Sequence, residues 1–534
     1  MVMWWMALAS GCVWISDADH AARIDADNDG EQLYGYHGGL DCDDNDPAVG
    51  QPTAFFRDAD GDGFGDESEP TEACTAPEGY VSIIGDCADD NVGVHPDAEE
   101  ICSDGLDNNC DGQSCLPPGT YLDEDFSAIR IGNSAALGAQ LDASGDHNGD
   151  GYSDVLSLAE NETPPVILAF DGAFSSAEMV SATARITFDN PENQGALVIR
   201  WGDINNDGYS DMLVGCPDCP TDDGFERGGE LYAWFGPREG DLERLDADLV
   251  VSGFEVNDQL GSSFGVVGDD FIVGIRGDGS NLYSHGAWYF FEGGLSRSTN
   301  TADMVATSGN TAWTLGEGPV LGADFTGSGV EWAVIPAKDR DGVGGLYLLE
   351  EPGLWRRYME DDCVQLVSSG SVTQRFAEGY AVGDLNGDGE DDLAVGAPGA
   401  SAVGVVYVYF SPQGEPFSFL GEDDARTSIV GVEADGELGS SIAIGPDLDG
   451  DGQVELAVGA PGAEGGGKVY VFSALDAGFV QASDAAWVLQ STDTNRRLGQ
   501  VISAGLDLDG ERYADLAVGL SWSSEILIVA GGSL

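Results

Sequence analysis

The apolar positions of this chain fall into short runs, and beyond about residue 120 the runs repeat in a fixed order. Each copy contains a short apolar strand, an Asp-rich turn, a strand such as Leu-Ala-Val-Gly-Ala-Pro (393–398) and a strand such as Gly-Lys-Val-Tyr-Val-Phe (467–472). Short runs of β-branched and aromatic residues between Gly and Asp turns predict β-strands. The clearest copies cover residues 383–410 and 445–472. The pattern therefore predicts an all-β repeat protein.

Seven Asp-rich turns follow one another at intervals of 55 to 66 residues, so seven copies are expected. Each copy also has room for a fourth strand, such as residues 486–490. Seven repeats of four strands predict a seven-bladed β-propeller over residues 119–534, whereas a linear β-solenoid would need shorter and more uniform repeats. The last copy ends after its third strand, so we expect residues 126–131 to supply the fourth. The turns begin at Asp146, Asp203, Asp269, Asp324, Asp384, Asp447 and Asp507.

The first residues form an apolar run, Met1 to Ile15, which is too short to span a bilayer and is typical of a signal peptide. Residues 8–12, Leu-Ala-Ser-Gly-Cys, are similar to a bacterial lipobox, so residues 1–12 are expected to be a signal peptide that ends at a lipidated Cys12. However, Ala9 stands where Leu is usual, and no basic residue precedes the run. Ordinary secretion and a segment that is not a signal therefore stay open as alternatives.

The charge of the chain narrows the classes of partner. Its 534 residues include 20 Lys and Arg against 96 Asp and Glu, a net charge of −76. This balance argues against nucleic acid and anionic membrane surfaces, which need clustered basic residues, and leaves membrane contact only through a lipid anchor at Cys12. The 42% hydrophobic residues still predict a buried core. With five His and no nucleophile-elbow, phosphate-loop or zinc motif, we expect no enzyme.

The Asp-rich turns have the spacing of calcium-binding loops. Oxygen ligands stand at positions 1, 3, 5 and 9, a backbone carbonyl is expected at position 7, and Gly at position 6 permits the sharp turn. Strands follow at once, so hairpin loops are favoured over EF-hands, and a surface turn without an ion is the alternative. The predicted residues are Asp146, Asn148, Asp150, Tyr152 and Asp154; Asp203, Asn205, Asp207, Tyr209 and Asp211; Asp384, Asn386, Asp388, Glu390 and Asp392; Asp447, Asp449, Asp451, Gln453 and Glu455; and Asp507, Asp509, Glu511 and Asp515.

Three turns depart from this spacing. In the seventh, Arg512 replaces the Gly at position 6 and places a cation beside the ligands, which makes that site doubtful. In the fourth, Trp332 occupies position 9, so no Ca²⁺ is expected there. The third, around residues 268–271, is shortened, and we expect a plain hairpin.

Residues 13–118 form a separate Asp- and Cys-rich segment. Its clearest loop places Asp58, Asp60, Asp62 and Asp66 at positions 1, 3, 5 and 9, with a Gly at position 6. Oxygen ligands alone favour Ca²⁺ over copper. We therefore expect a small, loop-rich segment held together by calcium and disulfides, and a disordered acidic spacer is the alternative.

Two families share these motifs. The repeated units resemble the FG-GAP repeats of the integrin α-chain N-terminal propeller, because the Asp loop, Gly-Ala-Pro and Val-Tyr-Val-Phe elements recur together over residues 120–534. Residues 56–63, 85–90 and 101–112 resemble the MopE-type metal-binding repeat of bacterial surface proteins, and more loosely the thrombospondin type 3 repeat. The first resemblance implies a seven-bladed propeller with a role in adhesion or extracellular ligand binding.

The second resemblance implies a pattern of disulfides. The spacing of the MopE-type repeat suggests the bridges Cys74–Cys87 and Cys102–Cys110, with Cys42–Cys115 as a weaker third pair. Elsewhere, Cys216 and Cys219 form a Cys-x-x-Cys sequence in a turn and not at a helix start, which favours a short structural disulfide over a redox site.

The expected function is binding at a surface. We expect an exported protein, either an outer-membrane lipoprotein of the bacterial cell surface or a secreted protein, that presents propeller loops to a protein or glycan ligand. A lectin stays open, although Tyr152 and Tyr209 share position 7 with Tyr513 while Glu390 and Gln453 break the pattern. A polysaccharide lyase or hydrolase also stays open, and would need basic and aromatic residues together in a central channel.

Overall fold

A computed structural model shows an all-β protein. Chain contacts divide it into two compact units, which we call unit 1 (Met1–Ser114) and unit 2 (Cys115–Leu534). Among the described residues, no helix is long and apolar enough to cross a membrane. The described residues are 42–43, 52–96, 98, 108, 110, 119–122, 129–131, 137–159, 162, 164–174, 182–189, 197–221, 223–276, 287–291, 304–307, 313–315, 318–339, 344–350, 364–367, 372–412, 421–445, 447–448, 453–473, 475, 478–494, 496–505, 507–509, 513–520 and 525–531.

Unit 1 contains one small antiparallel sheet. Its strands are β1 (Thr53–Arg57), β2 (Asp66–Ala73) and β3 (Tyr80–Val81), in the order β2-β1-β3. The Asp-rich loop of this unit joins β1 to β2, so the sheet fixes both of its ends.

In the part of unit 1 that the structure describes, the disulfides are Cys42–Cys74 and Cys87–Cys110, with Cα atoms 5.2 and 5.6 Å apart. The pairings that the resemblance implied, Cys74–Cys87, Cys102–Cys110 and Cys42–Cys115, are therefore wrong. The register of the β1–β2 hairpin accounts for the observed pair Cys42–Cys74. Ala73 lies opposite Thr53, so Cys74 lies at the end of the hairpin where the chain that follows Cys42 enters β1. Cys102 and Cys115 lie outside the described residues.

The described residues of unit 2 form seven sheets, with β4 (Gly119–Leu122) and β5 (Ile129–Ile131) before the first of them. Among the described residues, five three-residue 3₁₀ helices connect strands, at Arg244–Asp246, Val372–Gln374, Ala400–Ala402, Glu422–Asp424 and Ala482–Asp484. In chain order, the next strands are β6 (Gln140–Gly145), β7 (Asp154–Ala159), β8 (Val166–Phe170), β9 (Ala184–Thr187), β10 (Val198–Gly202), β11 (Asp211–Cys216), β12 (Glu230–Trp234), β13 (Gly240–Glu243), β14 (Leu249–Ser252), β15 (Leu260–Val267), β16 (Asp270–Ile275), β17 (Ala287–Phe291) and β18 (Met304–Thr307). The remaining strands are β19 (Trp313–Leu315), β20 (Leu321–Ala323), β21 (Trp332–Asp339), β22 (Gly344–Glu350), β23 (Val364–Val367), β24 (Tyr380–Gly383), β25 (Asp392–Ala397), β26 (Val405–Tyr409), β27 (Thr427–Val430), β28 (Ile442–Ile444), β29 (Leu456–Ala460), β30 (Lys468–Phe472), β31 (Gly478–Gln481), β32 (Trp487–Gln490), β33 (Val501–Gly505), β34 (Asp515–Leu520) and β35 (Glu525–Val529).

Each sheet is an antiparallel series of strands that follow one another along the chain, numbered here sheet 1 to sheet 7. The strand orders are β6-β7-β8-β9, β10-β11-β12-β14, β15-β16-β17-β18, β19-β21-β22-β23 with β20 also on β21, β24-β25-β26-β27, β28-β29-β30-β32 and β33-β34-β35-β5. The fourth strand of sheet 7 is β5, which pairs with β35 through Ile129 to Ile131. The expected use of a strand from before the first sheet is confirmed.

The second strands of the sheets are buried along their whole length because both of their faces are covered, and most of their residues after the first are apolar. Every residue of β7, β11, β25 and β34 is buried. Strands buried on both faces are continuous apolar runs and lack the polar alternation of a surface strand. The Leu-Ala-Val-Gly-Ala pattern of the sequence is therefore the pattern of a strand that packs between two neighbouring sheets.

Seven apolar clusters lie between the sheets of unit 2. Six of them join consecutive sheets, from sheet 1 and sheet 2 through to sheet 6 and sheet 7. The seventh contains Ile526 and Ile528 of β35 together with Val155 of β7 and Leu168 of β8, so it joins sheet 7 to sheet 1. Each sheet therefore shares a core with two others.

Glycine pairs let neighbouring sheets approach at the backbone. A Cβ added to Gly459 of β29 would lie 1.9 Å from the carbonyl oxygen of Gly499, the residue that precedes the first strand of the next sheet. Gly499 itself has a φ of +85°, which favours glycine. The same close approach occurs at Gly215 with Gly261, Gly396 with Gly439, and Gly519 with Gly138.

Three further strands add a parallel fifth strand to a sheet. β13 pairs with β9, β31 with β27, and β4 with β32. Since β13 lies between β12 and β14 of sheet 2 but pairs with sheet 1, it links two sheets. β31 links sheets 5 and 6 in the same way, and β4 links sheet 6 to the segment that continues into β5.

Candidate metal centres

Six loops before the second strands of the sheets contain the predicted ligands or their remnants. We number them by sheet as loop 1 (residues 146–154), loop 2 (203–211), loop 4 (324–332), loop 5 (384–392), loop 6 (447–455) and loop 7 (507–515), and count positions from the first residue of each. Sheet 3 has a short turn instead, across which Val267 pairs with Asp270. The plain hairpin expected there is confirmed.

The carboxylate at position 1 holds the loop in shape. In loop 2, Asp203 accepts the N–H of Asp207 at 3.1 Å with Oδ1 and the N–H of Gly208 at 2.8 Å with Oδ2. Gly208, at position 6, has a φ of +90°, which explains the need for glycine. Loops 1, 4 and 5 use the same hydrogen bonds to position 6, from Gly151, Gly329 and Gly389.

The carboxylate at position 9 is buried in every loop that has one. In loop 2, Asp211 accepts the N–H of Ile204 at 3.1 Å and that of Gly236 at 2.9 Å, which fixes both of its oxygens. The position-9 acids are at most 1% exposed: Asp154, Asp211, Asp392, Glu455 and Asp515.

Burial raises the pKa of four of these acids, Asp154, Asp211, Asp392 and Asp515, to about 7 in each case. The acids at positions 1 and 5 or 1 and 3 of the same loop add to the rise in loops 2, 5 and 7. Desolvation and like charge both disfavour the ionised carboxylate, and a cation beside it would reverse that preference.

Loop 7 brings its carboxylates together most closely. Asp507, Asp509 and Asp515 each offer an oxygen, and these oxygens lie within 4.8 Å of one another. Oxygens that share one Ca²⁺ at 2.3–2.6 Å lie no more than about 5 Å apart, so this set fits such an ion. The presence of Arg512 made this site doubtful in the sequence, but Glu511 and Arg512 both lie outside the described residues.

Loops 1 and 2 are arranged differently at positions 3 and 5. Asn148 donates its side-chain N–H to Asp150 at 2.9 Å, and Asn205 donates to Asp207 at 2.9 Å. In both loops the N–H of the carboxamide, which carries a partial positive charge, contacts the position-5 carboxylate that a bound cation would neutralise. Among the described residues of the six loops, three carboxylates lie within 4.8 Å of one another only in loop 7.

The remaining predicted residues have the following places. At position 7, Tyr152, Tyr209 and Glu390 donate their backbone N–H to the position-5 carboxylate at 2.9 to 3.0 Å. In loop 5, Asn386 lies 3.3 Å from Asp392. In loop 6, Glu455 accepts the N–H of Leu448, and Asp447 and Gln453 are also described. Asp449 and Asp451 of this loop, and Cys12, lie outside the described residues.

Loop 4 keeps the shape of the others without a carboxylate at position 9. Asp324 accepts the N–H groups of Thr326, Ser328 and Gly329 at 3.2, 3.2 and 2.6 Å. At position 9, Trp332 is 3% exposed and packs in the core between sheets 4 and 5. The loop shape therefore depends on position 1, and position 9 is free to serve either a cation or the core.

Unit 1 contains a second converging set. Asp58, Asp60 and Asp62, in the loop between β1 and β2, offer oxygens within 4.8 Å of one another. Asp66, the predicted position-9 ligand, is not part of this set. Its carboxylate accepts the N–H and the O–H of Ser68 at 2.7 and 2.8 Å.

Asp86 lies near this set, close enough for the Asp62 and Asp60 carboxylates to act on it. It is 7% exposed, and its Oδ1 accepts the N–H of Ala88 at 2.7 Å. Its buried Oδ2 has no hydrogen-bond partner among the described residues, and neither have the Oδ2 atoms of Asp60 and Asp62. Burial raises the pKa of Asp86, and the Asp62 and Asp60 carboxylates raise it further. Buried oxygens without donors are costly, so this group also fits a cation.

Sequence reasoning missed Asp86 because it applied the spacing of a single continuous loop. The signal was present, since Asp86 opens the Asp-Cys sequence of the next MopE-type motif. Both converging sets offer oxygen atoms only, which are the ligands that hard divalent cations such as Ca²⁺ and Mg²⁺ prefer.

Three family models match the chain, over five stretches of it. The family described as "FG-GAP repeat" matches residues 376–409 and 438–472, and the "FG-GAP-like repeat" matches residues 146–214. The family described as "Putative metal-binding motif", of the MopE type, matches residues 41–55 and 86–114. The matches therefore cover the whole of loops 1, 2, 5 and 6, and Asp86.

The curated proteins that the chain resembles include several integrin α chains. Integrin alpha-PS2 of Drosophila melanogaster is 33% identical over 179 residues, which is 30% of this chain and 12% of the fly protein. Human integrin alpha-7 is 33% identical over 176 residues, 31% of this chain and 14% of the relative. Human integrin alpha-IIb is 35% identical over 165 residues, 29% and 15% of the two chains. The similarity thus spans less than a sixth of each relative.

Proposed function

Because the chain carries FG-GAP repeats and a MopE-type metal-binding motif, we propose that it is a calcium-binding, non-catalytic protein for adhesion or extracellular ligand binding. Residues 119–534 would form a seven-bladed propeller, preceded by the metal-binding segment of residues 13–118. The similarity to integrin α chains supports adhesion and ligand binding at the level of the family.

The proposal of a propeller rests on the way in which the sheets of unit 2 pack. There are seven sheets, each shares an apolar cluster with two others, and one cluster joins sheet 7 to sheet 1. The glycine pair Gly519 and Gly138 makes the same connection at the backbone. Radial repetition of four-stranded sheets is the architecture that accounts for these contacts.

The observation that carries the proposal of calcium is the geometry of loop 7. Three carboxylates within 4.8 Å, one of them buried, repel each other unless a cation lies among them. A site with a dissociation constant of about 0.1 mM in millimolar calcium would stabilise folding by roughly 1.4 kcal/mol. Calcium is proposed here as a structural ion.

A cavity of about 460 Å³ in unit 2 is lined by the first strands of the seven sheets, and it bears on the question of an enzyme. Its charged lining residues are Asp142, Arg200 and Glu378. Arg200 lies 3.8 Å from Asp142, and Glu378 pairs with Arg375. The charged groups of the cavity are thus arranged as ion pairs, which supports a binding role more than a catalytic one.

Two measurements test the proposed function. Thermal unfolding with calcium and after removal of calcium on a chelating resin should show a lower melting temperature without the ion, and Asp515→Asn should reduce the difference. A pull-down of surface proteins together with a glycan array, each with and without calcium, should show calcium-dependent capture. A melting temperature that ignores calcium would refute the structural ion, and hydrolysis or elimination of an arrayed glycan would refute the non-catalytic role.

The proposed location rests on the apolar run of residues 1–15 and the lipobox-like residues 8–12. We propose export to the cell surface or medium, with an anchor at Cys12 if the lipobox-like sequence is processed. Metabolic labelling with a clickable fatty acid should mark the wild-type protein and leave Cys12→Ser unmarked.

A further inference from the structure

Loops 1 and 2 are joined by hydrogen bonds through Ser210, at position 8 of loop 2. The Ser210 Oγ accepts the backbone N–H of Asp146 at 3.1 Å, and the Ser210 N–H donates to the Asp146 carbonyl at 2.9 Å. The carbonyl of Ser210 contacts Nδ1 of His147 at 2.7 Å, so that nitrogen carries the proton. Three contacts therefore connect one residue of loop 2 to two residues of loop 1.

Each residue in this connection lies beside or is itself a proposed ligand. Asp146 is the position-1 ligand of loop 1, and Ser210 directly precedes Asp211, the buried position-9 ligand of loop 2. The backbone N–H of His147 donates to Asp154, the position-9 ligand of loop 1, at 2.7 Å. An ion that fixes Asp211 would therefore also fix the backbone against which Asp146 and His147 are held.

A side chain adds to the connection. The ring of Tyr209 packs against loop 1 so closely that a Cβ on Gly149 would lie 2.5 Å from its Cε1 atom. Tyr209 is position 7 of loop 2, where the backbone carbonyl is the proposed ligand, and Gly149 is position 4 of loop 1. Ordering of loop 2 by an ion would therefore order this ring on loop 1.

The same pair of hydrogen bonds, from position 8 of one loop to position 1 of another, recurs between loops 4 and 5. Asp391, at position 8 of loop 5, accepts the N–H of Asp324 with Oδ2 at 2.7 Å and donates its own N–H to the Asp324 carbonyl at 2.9 Å. Loop 7 connects to loop 1 through the Ser153 N–H and the Asp507 carbonyl, 2.8 Å apart. These contacts therefore recur between the loops, and between loops 1 and 2 the side-chain contact joins two loops that both have a carboxylate at position 9.

From this geometry we propose that loops 1 and 2 bind divalent cations with positive cooperativity. This proposal rests on the proposed calcium function and adds its regulation. Binding at one loop orders Ser210, Asp146 and Tyr209, so binding at the second loop has less ordering to complete. Repulsion between the two cations acts in the opposite direction, and the proposal is that the shared ordering exceeds it. The coupling is reciprocal, because each ion must change the affinity for the other by the same factor.

Terbium luminescence can report loop 1 in the full-length protein as the part of the emission that Tyr152→Phe abolishes, since Trp201 also lies beside this loop and can sensitise the ion. Tb³⁺ replaces Ca²⁺ and emits when a nearby Tyr is excited, and position 7 is Tyr in loops 1, 2 and 7. Tyr209→Phe with Tyr513→Phe leaves Tyr152 as the position-7 sensitiser and keeps an aromatic ring on Gly149. In this background, Asp207→Asn removes a ligand of loop 2, and we expect the dissociation constant of Tb³⁺ at loop 1 to rise about fivefold.

Two controls separate coupling from a general effect of the substitutions. Asp388→Asn makes the same change at the same position of loop 5, which is not adjacent to loop 1, and should leave the dissociation constant at loop 1 unchanged. Ser210→Ala keeps every ligand of both loops but removes the Oγ that accepts the Asp146 N–H. In the Ser210→Ala protein, Asp207→Asn should therefore raise the dissociation constant at loop 1 by less than about twofold. In the reciprocal design, Asp150→Asn read through Tyr209 with Tyr152→Phe and Tyr513→Phe should give the same factor.

The possible results are distinct. An unchanged or tighter affinity at loop 1 in Asp207→Asn, with saturable Tb³⁺ emission and an unaltered circular dichroism spectrum, would overturn the coupling and leave the calcium function standing. Emission that does not saturate in the starting background would overturn the cation site of loop 1 and the coupling with it.

Discussion

At the scale of the residue, the most informative groups are the acids at position 9. Asp154, Asp211, Asp392 and Asp515 begin the second strands of their sheets and are buried there, although each can carry a negative charge. Two backbone N–H groups, or three for Asp515, stabilise each carboxylate, but they do not compensate for the loss of water, since the pKa rises to about 7. These residues are best explained as ligands whose charge a cation completes.

The raised pKa values predict how the cation-free protein responds to pH. Each acid has a pKa near 3.8 when unfolded and about 7 when folded, so between about pH 4 and 7 the folded state binds more protons. Stability therefore falls as pH rises through this range, by up to about 1.4 kcal/mol per pH unit for each acid. We expect the resin-treated protein to melt at a lower temperature at pH 7.5 than at pH 5.

Calcium and one substitution serve as controls for this pH dependence. Saturating calcium should abolish most of the difference between pH 5 and pH 7.5, because it binds the ionised form. Asp392→Asn should reduce the pH dependence of the cation-free protein, whereas Asp388→Asn, at an exposed position of the same loop, should alter it less. Equal melting temperatures at the two pH values without calcium would contradict the assignment.

A second prediction concerns Asp86 in unit 1. Removing its charge should weaken cation binding by the Asp58, Asp60 and Asp62 set, because Asp86 adds a buried oxygen that has no donor among the described residues. We expect Asp86→Asn to raise the dissociation constant of unit 1 for calcium at least about tenfold, a loss of about 1.4 kcal/mol, as measured by isothermal titration of the full-length protein. Asp66→Asn is the matched control and should have little effect, since Ser68 holds that carboxylate.

The spacing of acids along the chain was sufficient to find the loops but not all of their ligands. The position-9 acids follow from a local rule, because nine consecutive residues determine both the turn and the ligand. Asp86 comes from a separate motif, and only the folding of unit 1 places it near Asp60 and Asp62. The prediction of the disulfide pairs was wrong for a similar reason, because the pairing depends on the hairpin register that brings Cys74 toward Cys42.

At the scale of the element, glycine determines how closely sheets approach. The strand sequence Leu-Ala-Val-Gly-Ala was predicted correctly as a strand, but its Gly appeared to be a simple part of the repeat. The structure explains this residue, since Gly459 faces the carbonyl of Gly499 where no side chain fits. At four junctions, the Gly of a second strand and the Gly shortly before or at the start of the next sheet are thus two halves of one contact between sheets.

Substitution of this glycine should be strongly destabilising. In Gly459→Ala the added Cβ would lie 1.9 Å from a backbone oxygen, so the strands must separate. We expect a loss of at least about 2 kcal/mol in the free energy of unfolding, measured by urea denaturation in calcium. Gly421→Ala is the control, because its nearest neighbour would be 3.6 Å away and its φ is −124°, and it should cost no more than about 0.5 kcal/mol. Equal effects of the two substitutions would contradict this account.

The parallel fifth strands could not be predicted from the sequence. β13 and β31 are short and partly polar, and their pattern of exposure is that of an edge strand. They pair with a sheet other than the one that the neighbouring strands form, so a reading that assigns each strand to its own repeat misses them. Phe479 of β31 is 89% exposed, which hides the strand further, because an apolar residue at an exposed edge carries no periodic signal.

At the scale of the whole molecule, the terminal strands should be essential to unit 2. β5 completes sheet 7, and its Ile131 is fully buried in the cluster that joins sheets 7 and 1. We expect deletion of residues 121–131 to lower the melting temperature sharply, since it exposes this cluster and removes part of β4. Ile131→Ala should cost about 2 to 5 kcal/mol by the same mechanism. An unchanged melting temperature in both variants would contradict the role of β5.

Calcium does not account for the charge of the molecule. Five divalent cations would add ten positive charges to the net charge of −76. Most of the negative charge would therefore remain after every proposed loop site was filled. The clustered acids are recognisable by their regular spacing along the chain, whereas the dispersed acids give a surface that resists association with other acidic surfaces. Sited and dispersed acids thus serve different purposes, and only the first follow the repeat.

The parallel fifth strands have a consequence for how the repeats lose structure. In repeat proteins whose units contact only their neighbours through their faces, one end can fray while the rest stays folded. Here β13 and β31 each belong to one repeat by sequence and to the preceding sheet by hydrogen bonding, so a repeat that opens also strips the edge of its neighbour. Amide hydrogen exchange in paired sheets, such as sheets 1 and 2 or 5 and 6, should therefore show a common opening free energy, which makes two repeats and not one the smallest unit of unfolding.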